Sequence, residues 1–363
     1  MAVPATASSM STAPCELSLE LRPSTRFEIV DLRRQSGWLN GLAEFPFALF
    51  WSFHTTAGFL EQRRALHLDT RRGGIRPYIR AFQTVFPQEA GYRHDELHLR
   101  DDLSNEQRQV EPRNGDAHLT FIASGLRTCV RYRNRPAEPV YFVDLDGVAD
   151  DRHRRRQARV IGFHHEQVVA RDQVLVPMSS RALDSVSLKH PDLGLYERLQ
   201  ALIDQHGVTK GRVRLALGAA DAGTALTINE YETLLMRHDL ASVLHDPFRF
   251  MAEKGRHMIA DPWAIPAKAM DYAKYDVIRS FNQVCERLQI PDSRAERLIT
   301  MLLGRQARRF LRLQRSVNLL VSDAGSPGRG RLVEGVYQCP ILLQWMKTPG
   351  NLRTVGISLT RFE

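Results

Sequence analysis

The sequence predicts an α+β fold made of two similar modules in tandem, each an antiparallel β-sheet sandwich packed with helices. Three observations lead to this prediction. Apolar segments with a period of two, or apolar throughout, are typical of strands and alternate with few helical patterns. The order of these segments in the first half of the chain recurs in the second half, as expected for an internal repeat. A length of 363 residues with 43% hydrophobic residues suits roughly two domains of about 100–200 residues.

The first module is expected to begin after a disordered tail. Residues 1–13 are rich in Ala, Ser, Thr and Pro and hold too few large apolar groups to pack. The alternation over residues 15–21 predicts a half-buried strand, and residues 29–39 are expected to form a short helix. Residues 47–53 follow Pro46 and are apolar almost throughout, which predicts a central strand of a sheet.

The remainder of this module runs to about residue 166. A helix is predicted over residues 75–86, where Pro87 stops it, and the charged segment 92–113 is interpreted as a loop. The apolar run 119–123 is expected to form a buried strand. Three closing strands follow in the pattern, at residues 127–132, 140–145 and 158–163.

The second module, residues 167–363, repeats this order. Strands are predicted at residues 174–177, 183–188 and 212–217, with a helix over residues 195–207 between the second and the third. The closing strands are placed at residues 333–338, 341–346 and 352–359. Residues 244–320 have no counterpart of that length in the first module and are mostly helical in pattern, which predicts a helical insertion.

Charge and cysteine usage restrict the class of protein. The net charge of +9 comes largely from arginine, concentrated in residues 71–72, 152–156 and 305–315. Such runs attract anions but are as often solvated faces as binding sites, and no nucleic-acid-binding motif accompanies them, so nucleic acid binding is not favoured. No apolar run approaches the ~20 residues of a membrane span, and the N-terminus lacks a signal pattern. Together with four widely spaced cysteines that show no metal or disulfide spacing, this predicts a cytoplasmic protein.

Three histidines of the first module stand at predicted element boundaries. His54 follows the strand 47–53, His94 lies in the charged loop, and His118 precedes the run 119–123. Three imidazoles brought together can hold a divalent ion with one position open, the usual layout of a catalytic zinc site. Asp95 or Asp116 could then orient the rings. Spacing alone favours ordinary surface or capping histidines, because separations of 40 and 24 residues imply nothing about proximity.

The motifs around these histidines resemble those of a known family. Residues 54–57 (His-Thr-Thr-Ala), 92–95 (Tyr-Arg-His-Asp) and 114–119 (Asn-Gly-Asp-Ala-His-Leu) are similar in order and approximate spacing to the YjbQ family. Its members are often labelled secondary thiamine-phosphate synthases. The resemblance covers about residues 16–163. The third motif is the most specific and departs from the family pattern only at Gly115.

The second half resembles the same family in a more degraded form. Residues 224–230 (Thr-Ala-Leu-Thr-Ile-Asn-Glu) match the end of the family's first motif, whereas Asp221 stands at the histidine position and no Asn-x-Asp-Ala-His follows. Conversely, residues 59–62 of the first half replace the family's Leu-Thr-Ile-Asn. The resemblance therefore implies an active site in the first module and a degenerate second module.

The resemblance and the chemistry of the side chains together give the candidate roles. The expected metal ion is zinc, or else magnesium, and the expected assembly is a homo-oligomer with a pseudo-symmetric ring of modules. The candidate catalytic residues are His54, His94, Asp116 and His118, of which the three histidines are also the candidate metal ligands. The candidate substrate-binding residues are Thr55, Thr56, Asn114, Asn229 and Glu230, the last two contributed by the second module. For Asn114-Gly115 a plain turn, and for Thr55-Thr56 ordinary strand-end packing, remain alternatives.

The function implied is that of an enzyme acting on a small anionic or phosphorylated substrate. Its reaction would be like thiamine-phosphate synthesis, or that of a diverged biosynthetic transferase, lyase or hydrolase. The alternative is a non-catalytic ligand-binding or oligomeric scaffold protein. Degeneration of the second half favours this alternative, and the three histidines retained in the first half oppose it.

Overall fold

The computed structural model describes residues 13–34, 40–70, 74–149, 152–245, 249–250, 253–254 and 311–363. In the first half these residues form β1 (Cys15–Leu21), β2 (Glu28–Asp31), β3 (Phe47–Ser52), β4 (Ala57–Phe59), α1 (Gln62–Asp69), α2 (Ile75–Val85), α3 (Asn105–Val110), α4 (Gly115–Ser124), β5 (Cys129–Arg133), β6 (Tyr141–Asp144), β7 (Val148–Ala149), β8 (Arg152–His153) and β9 (Arg156–Phe163). In the second half they form β10 (Glu166–Pro177), β11 (Asp184–Ser187), α5 (Leu195–Gln205), β12 (Gly211–Leu217), β13 (Thr224–Asn229), α6 (Leu240–His245), β14 (Ser316–Ser322), β15 (Arg331–Val333), β16 (Cys339–Gln344) and β17 (Leu352–Phe362).

The sheets are antiparallel, which confirms the predicted α+β class. The first half contains a sheet of order β1-β9-β3-β5 and a smaller sheet β2-β6-β4. The second half contains a sheet of order β10-β17-β12-β14-β15 and a smaller sheet β11-β16-β13. If each strand is exchanged for its counterpart in the other half, the two orders are the same apart from the added edge strand β15.

One buried polar contact also recurs in the two halves. At the start of β9, Arg156 Nε lies 2.7 Å from Asp144 Oδ2, and a terminal nitrogen donates to the carbonyl two residues beyond Asp144 at 2.6 Å. At the equivalent place in β17, Arg353 Nε donates to Gln344 Oε1 at 3.1 Å and a terminal nitrogen reaches the carbonyl two residues beyond Gln344 at 2.7 Å. In each half an arginine therefore ties the end of the central strand of the small sheet to the large sheet.

Strand β3 shows why the core continues across the two halves. Ala48 and Phe50 point to the core inside the first half, whereas Leu49 and Trp51 point to the core shared with the second half. Side chains of a strand alternate between faces, so a strand buried on both faces is apolar throughout. This confirms the prediction that residues 47–53 form a central strand. The stacked rings of Phe163 and Phe362, 4.0 Å apart, lie in the same shared core.

Two predicted elements of the first half are wrong. Residues 28–31 form strand β2, which pairs with β6, and a turn follows, so no helix begins at residue 29; residues 35–39 lie outside the described residues. Pairing with β6 stabilises this segment as a strand, although its own sequence pattern is typical of a helix. Residues 119–123 belong to helix α4 and do not form a strand. A short apolar run does not distinguish a buried strand from a buried helix, and every residue of α4 is buried.

The boundaries in the second half also differ from prediction. Residues 333–338 do not form a closing strand, because β15 ends at Val333. The counterpart of β5 is instead β14, at residues 316–322, most of which lies within the predicted insertion 244–320. The rest of the insertion falls largely on residues 255–310, outside the described residues, as does the tail 1–12.

The predicted loop 92–113 contains α3 and two short 3-10 helices. Among the described helices, none is long and apolar enough to cross a membrane.

Candidate functional site

Helix α4 brings the third motif into the interior. Asn114 precedes its first turn, and His118 lies one turn further on, so both side chains occupy the same face of the helix. Gly115 lies against Tyr92: a Cβ atom at this position would stand 3.0 Å from the Cβ of Tyr92 and 3.3 Å from Asp95 Oδ1. Its backbone N–H donates to the same Asp95 oxygen at 2.9 Å. A glycine at this position allows the 92–95 loop to pack closely on the helix.

His94 is buried and held at both ring nitrogens. Nδ1 lies 3.2 Å from Glu232 Oε2, and Nε2 lies 3.1 Å from Asn114 Oδ1. The Asn114 amide is oriented by its own Nδ2, which donates to Asp146 Oδ2 at 2.7 Å. Both partners of the ring are therefore acceptors, and a ring with a proton on each nitrogen, the imidazolium, satisfies them. Asp239, in a π-helical turn of the second half, fixes the loop by accepting from the backbone N–H of His94 at 2.9 Å.

The charges around His94 favour the same protonated form. Burial by itself lowers the pKa of His94, but the hydrogen bond to Glu232 and the charge of Glu230 outweigh it. The net result is a pKa raised above the ordinary value of a histidine. The ring is fully buried, so these partners act on it with little screening by solvent.

His118 lies beside His94 with the opposite tendency. The two ring centroids are 4.9 Å apart, edge to face. His118 Nδ1 is 2.7 Å from Asn229 Oδ1, and the Asn229 amide is oriented by its Nδ2, which donates to the carbonyl of Thr55 at 2.9 Å. His118 therefore carries its proton on Nδ1. Burial first, and then the charge of His94, hold the pKa of His118 well below its usual range.

A buried arginine positions the carboxylate that faces His118. Arg100 is 1% exposed and its Nη2 donates to Glu230 Oε1 at 2.8 Å, while Asp102 and Glu111 accept from the same guanidinium at 2.7 Å and 3.4 Å. The other oxygen of Glu230, Oε2, then lies 3.5 Å from His118 Nε2. Asn229 and Glu230, which were predicted to bind substrate, contact His118 from the end of β13.

Asp116 is placed differently from the prediction that it orients a histidine. Its Oδ1 accepts from Arg26 Nη2 at 2.9 Å, and Arg26 also approaches Asp146 Oδ1 at 3.4 Å. Burial, together with the charges of Asp95 and Asp146, outweighs Arg26 and raises the pKa of Asp116 to about 6. The side chains of Arg26 and Arg154 remain 23% and 27% exposed, and Arg154 pairs with Asp146 at 2.9 Å. Two partly exposed guanidinium groups therefore stand beside the buried carboxylates.

His54 is held apart from the other two histidines. Its Nε2 accepts from the backbone N–H of Gln157 at 2.7 Å, and burial together with the nearby Arg156 and Arg154 lowers its pKa to about 3. Thr55 contributes its main-chain carbonyl to Asn229, and the Thr56 hydroxyl accepts from Arg156 Nη2 at 3.4 Å. These threonines therefore support the site from one side. The hydroxyl of Thr56 and the carbonyl of Thr55 are both engaged within the protein.

The three histidines do not fit a single metal ion. Both nitrogens of His94 face hydrogen-bond partners, His118 Nδ1 faces Asn229, and His54 Nε2 faces the backbone of β9. A catalytic zinc ion takes three protein ligands at about 2.0–2.2 Å. Within the part of the chain that the structure describes, no group of three or more His, Cys, Asp or Glu side chains is arranged to hold a metal ion.

Several residues of the site are not among the candidate catalytic, metal-binding or substrate-binding residues, although Asp146 and the run 152–156 were noted as possible neighbours of the site. They are Arg26, Arg100, Asp146, Arg154, Glu232 and Asp239. Glu232 stands only two residues beyond the matched segment 224–230, and its position next to that motif was the available signal. Asp146 followed a predicted strand, but the Asp146-Gly147 pair is also typical of a turn. Arg100 and Arg26 lie in charged segments where nothing in the sequence marks one arginine as buried.

Comparison with known proteins gives structural similarity only. No protein-family profile and no curated protein matches the sequence. A YbjQ-like protein of unknown function from Sulfolobus solfataricus P2 is 15% identical, with a TM-score of 0.29, over 54% of this chain and 99% of that one. A hypothetical protein from Aeropyrum pernix K1 is 14% identical, with a TM-score of 0.28, over 53% and 98%. A yjbq/upf0047-family protein from Clostridium acetobutylicum is 19% identical, with a TM-score of 0.26, over 40% and 97%.

Proposed function

We propose that the protein is an enzyme that performs acid–base chemistry on a small anionic substrate at a site formed by both halves of the chain. One observation carries the proposal. Two buried imidazoles lie 4.9 Å apart with pKa values displaced in opposite directions, and each is oriented by an amide and faced by a carboxylate. Neighbouring titratable groups whose environments separate their pKa values are typical of acid–base assignments in enzymes.

The hydrogen bonds support a different role for each ring. Asn229 holds the proton of His118 on Nδ1, so the lone pair of Nε2 is free to accept a proton from a substrate or from water. The imidazolium of His94 lies next to it and stabilises negative charge that develops during the reaction. Glu232 and Asn114 orient His94 in the way that a third group orients the base of a catalytic triad.

Two partly exposed arginines support an anionic substrate. Arg26 and Arg154 share the buried Asp146, and part of each side chain stays exposed to a ligand. Guanidinium groups bind carboxylate and phosphate in two-pronged geometry. The resemblance of the motifs supports a finer proposal, a reaction like thiamine-phosphate synthesis or that of a diverged transferase, lyase or hydrolase.

The repeated architecture supports a tandem origin. The shared strand order and the recurring arginine contact support two YjbQ-like modules, residues 14–166 and 167–363, the second of which lacks the motif histidines of the first. In this proposal the second module completes the site of the first with Asn229, Glu230 and Glu232. A ring-shaped homo-oligomer and a cytoplasmic location rest on the resemblance and on sequence composition.

The proposal is tested by turnover. The purified protein is incubated with a panel of small phosphorylated and carboxylated compounds and followed by ³¹P and ¹H NMR, with His118→Gln as the variant and His190→Gln, an exposed histidine, as the matched control. Loss of a general base is expected to slow turnover about 10²–10⁴-fold. Equal rates for His118→Gln and wild type would refute the proposal. If a compound binds but neither wild type nor a variant converts it, a ligand-binding protein is favoured instead. Elemental analysis of the same sample tests the predicted zinc or magnesium.

A further inference from the structure

Two acceptor atoms face each other at the centre of the site. His118 Nε2 and Glu230 Oε2 are 3.5 Å apart. With its proton fixed on Nδ1 by Asn229, His118 presents only a lone pair at Nε2, and an ionised carboxylate has no proton to donate. Neither atom can satisfy the other.

The surroundings keep both atoms in this position. Arg100 binds the far oxygen of Glu230 and is itself fixed by Asp102 and Glu111, so the carboxylate cannot turn away without breaking a buried ion pair. The cationic ring of His94, 4.9 Å from His118, disfavours a second positive charge on the neighbouring imidazole. The depressed pKa of His118 agrees with this.

A group that bears two protons satisfies both acceptors at once. An atom placed about 2.9 Å from each would lie to one side of the line between them, within ordinary hydrogen-bond reach.

We infer that the substrate of the proposed reaction carries an amine, and that its N–H groups bind between His118 Nε2 and Glu230 Oε2. This inference rests on the proposed function and narrows its substrate class to molecules with both an anionic group and an amine. The anionic group faces Arg26 and Arg154.

The test uses ammonium ion as the probe. Full-length protein labelled with ¹⁵N-histidine is titrated with ammonium chloride, and the Nε2 resonance of His118 is followed by NMR. Tetramethylammonium chloride at equal ionic strength is the control, because it carries the same charge without an N–H group. We expect a saturable shift with ammonium alone. Glu230→Gln should weaken ammonium binding about tenfold or more, since a charged acceptor is lost.

Matched variants make the outcome specific. Glu334→Gln removes a carboxylate from a partly exposed ion pair with Lys189, outside this site, and should retain ammonium binding. If Glu230→Gln does not fold, Glu230→Asp withdraws the same carboxylate by one methylene. Equal shifts with both salts, no shift with ammonium, or undiminished ammonium binding in a folded Glu230 variant would overturn the inference. So would a response to zinc or magnesium chloride in place of ammonium.

Failure of the inference differs from failure of the proposed function. If His118→Gln loses turnover while ammonium has no effect, the acid–base proposal stands and the amine is wrong. If ammonium binds as expected but no compound is turned over, the amine site stands and the enzyme proposal is wrong.

Discussion

Replacing Glu232 with Gln should weaken the dependence of the free energy of unfolding on the protonation of His94. Glu232 Oε2 lies 3.2 Å from His94 Nδ1, and its two oxygens also accept from the backbone N–H groups of Leu234 and Leu235 at 2.6 Å and 2.7 Å. A glutamine has one oxygen in place of these two. If that oxygen stays with Leu234, the NH₂ group faces Leu235 and His94 and can accept a hydrogen bond from neither. The protonated ring then loses a charged, buried hydrogen bond.

The size of the effect follows from that lost contact. A hydrogen bond to a charged group contributes about 1.5–3 kcal/mol, and both side chains here are almost fully buried. The folded protein holds His94 with a raised pKa, so the stabilisation is complete at pH values below about 6.5, the ordinary value for histidine, and is lost as the pH rises through the folded pKa. Glu232→Gln should therefore lower the free energy of unfolding by about 1.5–3 kcal/mol at low pH and by less at high pH.

Urea unfolding of wild type and variant from about pH 5 to 9 measures this difference. Glu334→Gln is the matched control, because the ion pair of Glu334 with Lys189 is partly exposed and should be worth about 1 kcal/mol or less. A loss for Glu232→Gln that is the same at every pH would refute the reasoning. So would a loss that grows as the pH rises.

Three further predictions concern other parts of the site. Asp116→Asn should flatten the dependence of the free energy of unfolding on pH between about 4 and 6. Burial raises the folded pKa of Asp116 to about 6, so the stability contributed by its neutral form is lost as the pH rises through that value. A pH dependence equal to that of wild type in urea unfolding would contradict this prediction. Gly115→Ala should cost about 1–3 kcal/mol in thermal unfolding, since the added Cβ stands 3.0 Å from Tyr92. Arg100→Gln should cost about 3–5 kcal/mol by leaving Glu230 buried without its cation, whereas Arg22→Gln, in an exposed pair, should cost about 1 kcal/mol or less.

The parts of the fold that could be predicted are those decided by local pattern. Strand β3 is apolar on both faces and was placed correctly, and the alternation of β1 and β12 identified them as strands in the same way. Strand β2 and helix α4 could not be assigned from their own residues. Pairing with β6 fixes the first, and complete burial removes the amphipathic period that would have marked the second.

The candidate site was predicted in part for a similar reason. The motifs identified His94, His118 and Asn114, which the structure brings together, but order along the chain says nothing of distance, and His54 is bound to the backbone of β9 instead. The roles of Glu232 and Arg100 arise from contacts with residues of the other half that are more than a hundred positions away in the sequence. Such partners are selected by the packing of the halves, and no local pattern records that.

The hydrogen bond between His118 and Asn229 joins the two halves within one polypeptide. Because the partners are tethered, they meet at a high effective concentration and do not separate on dilution. Tethering also removes a constraint on evolution. In a symmetric assembly of identical subunits each substitution appears in every copy of the interface, so one copy of a site cannot change without all the others. Here a substitution in one half occurs once, and the two faces of the site can diverge independently.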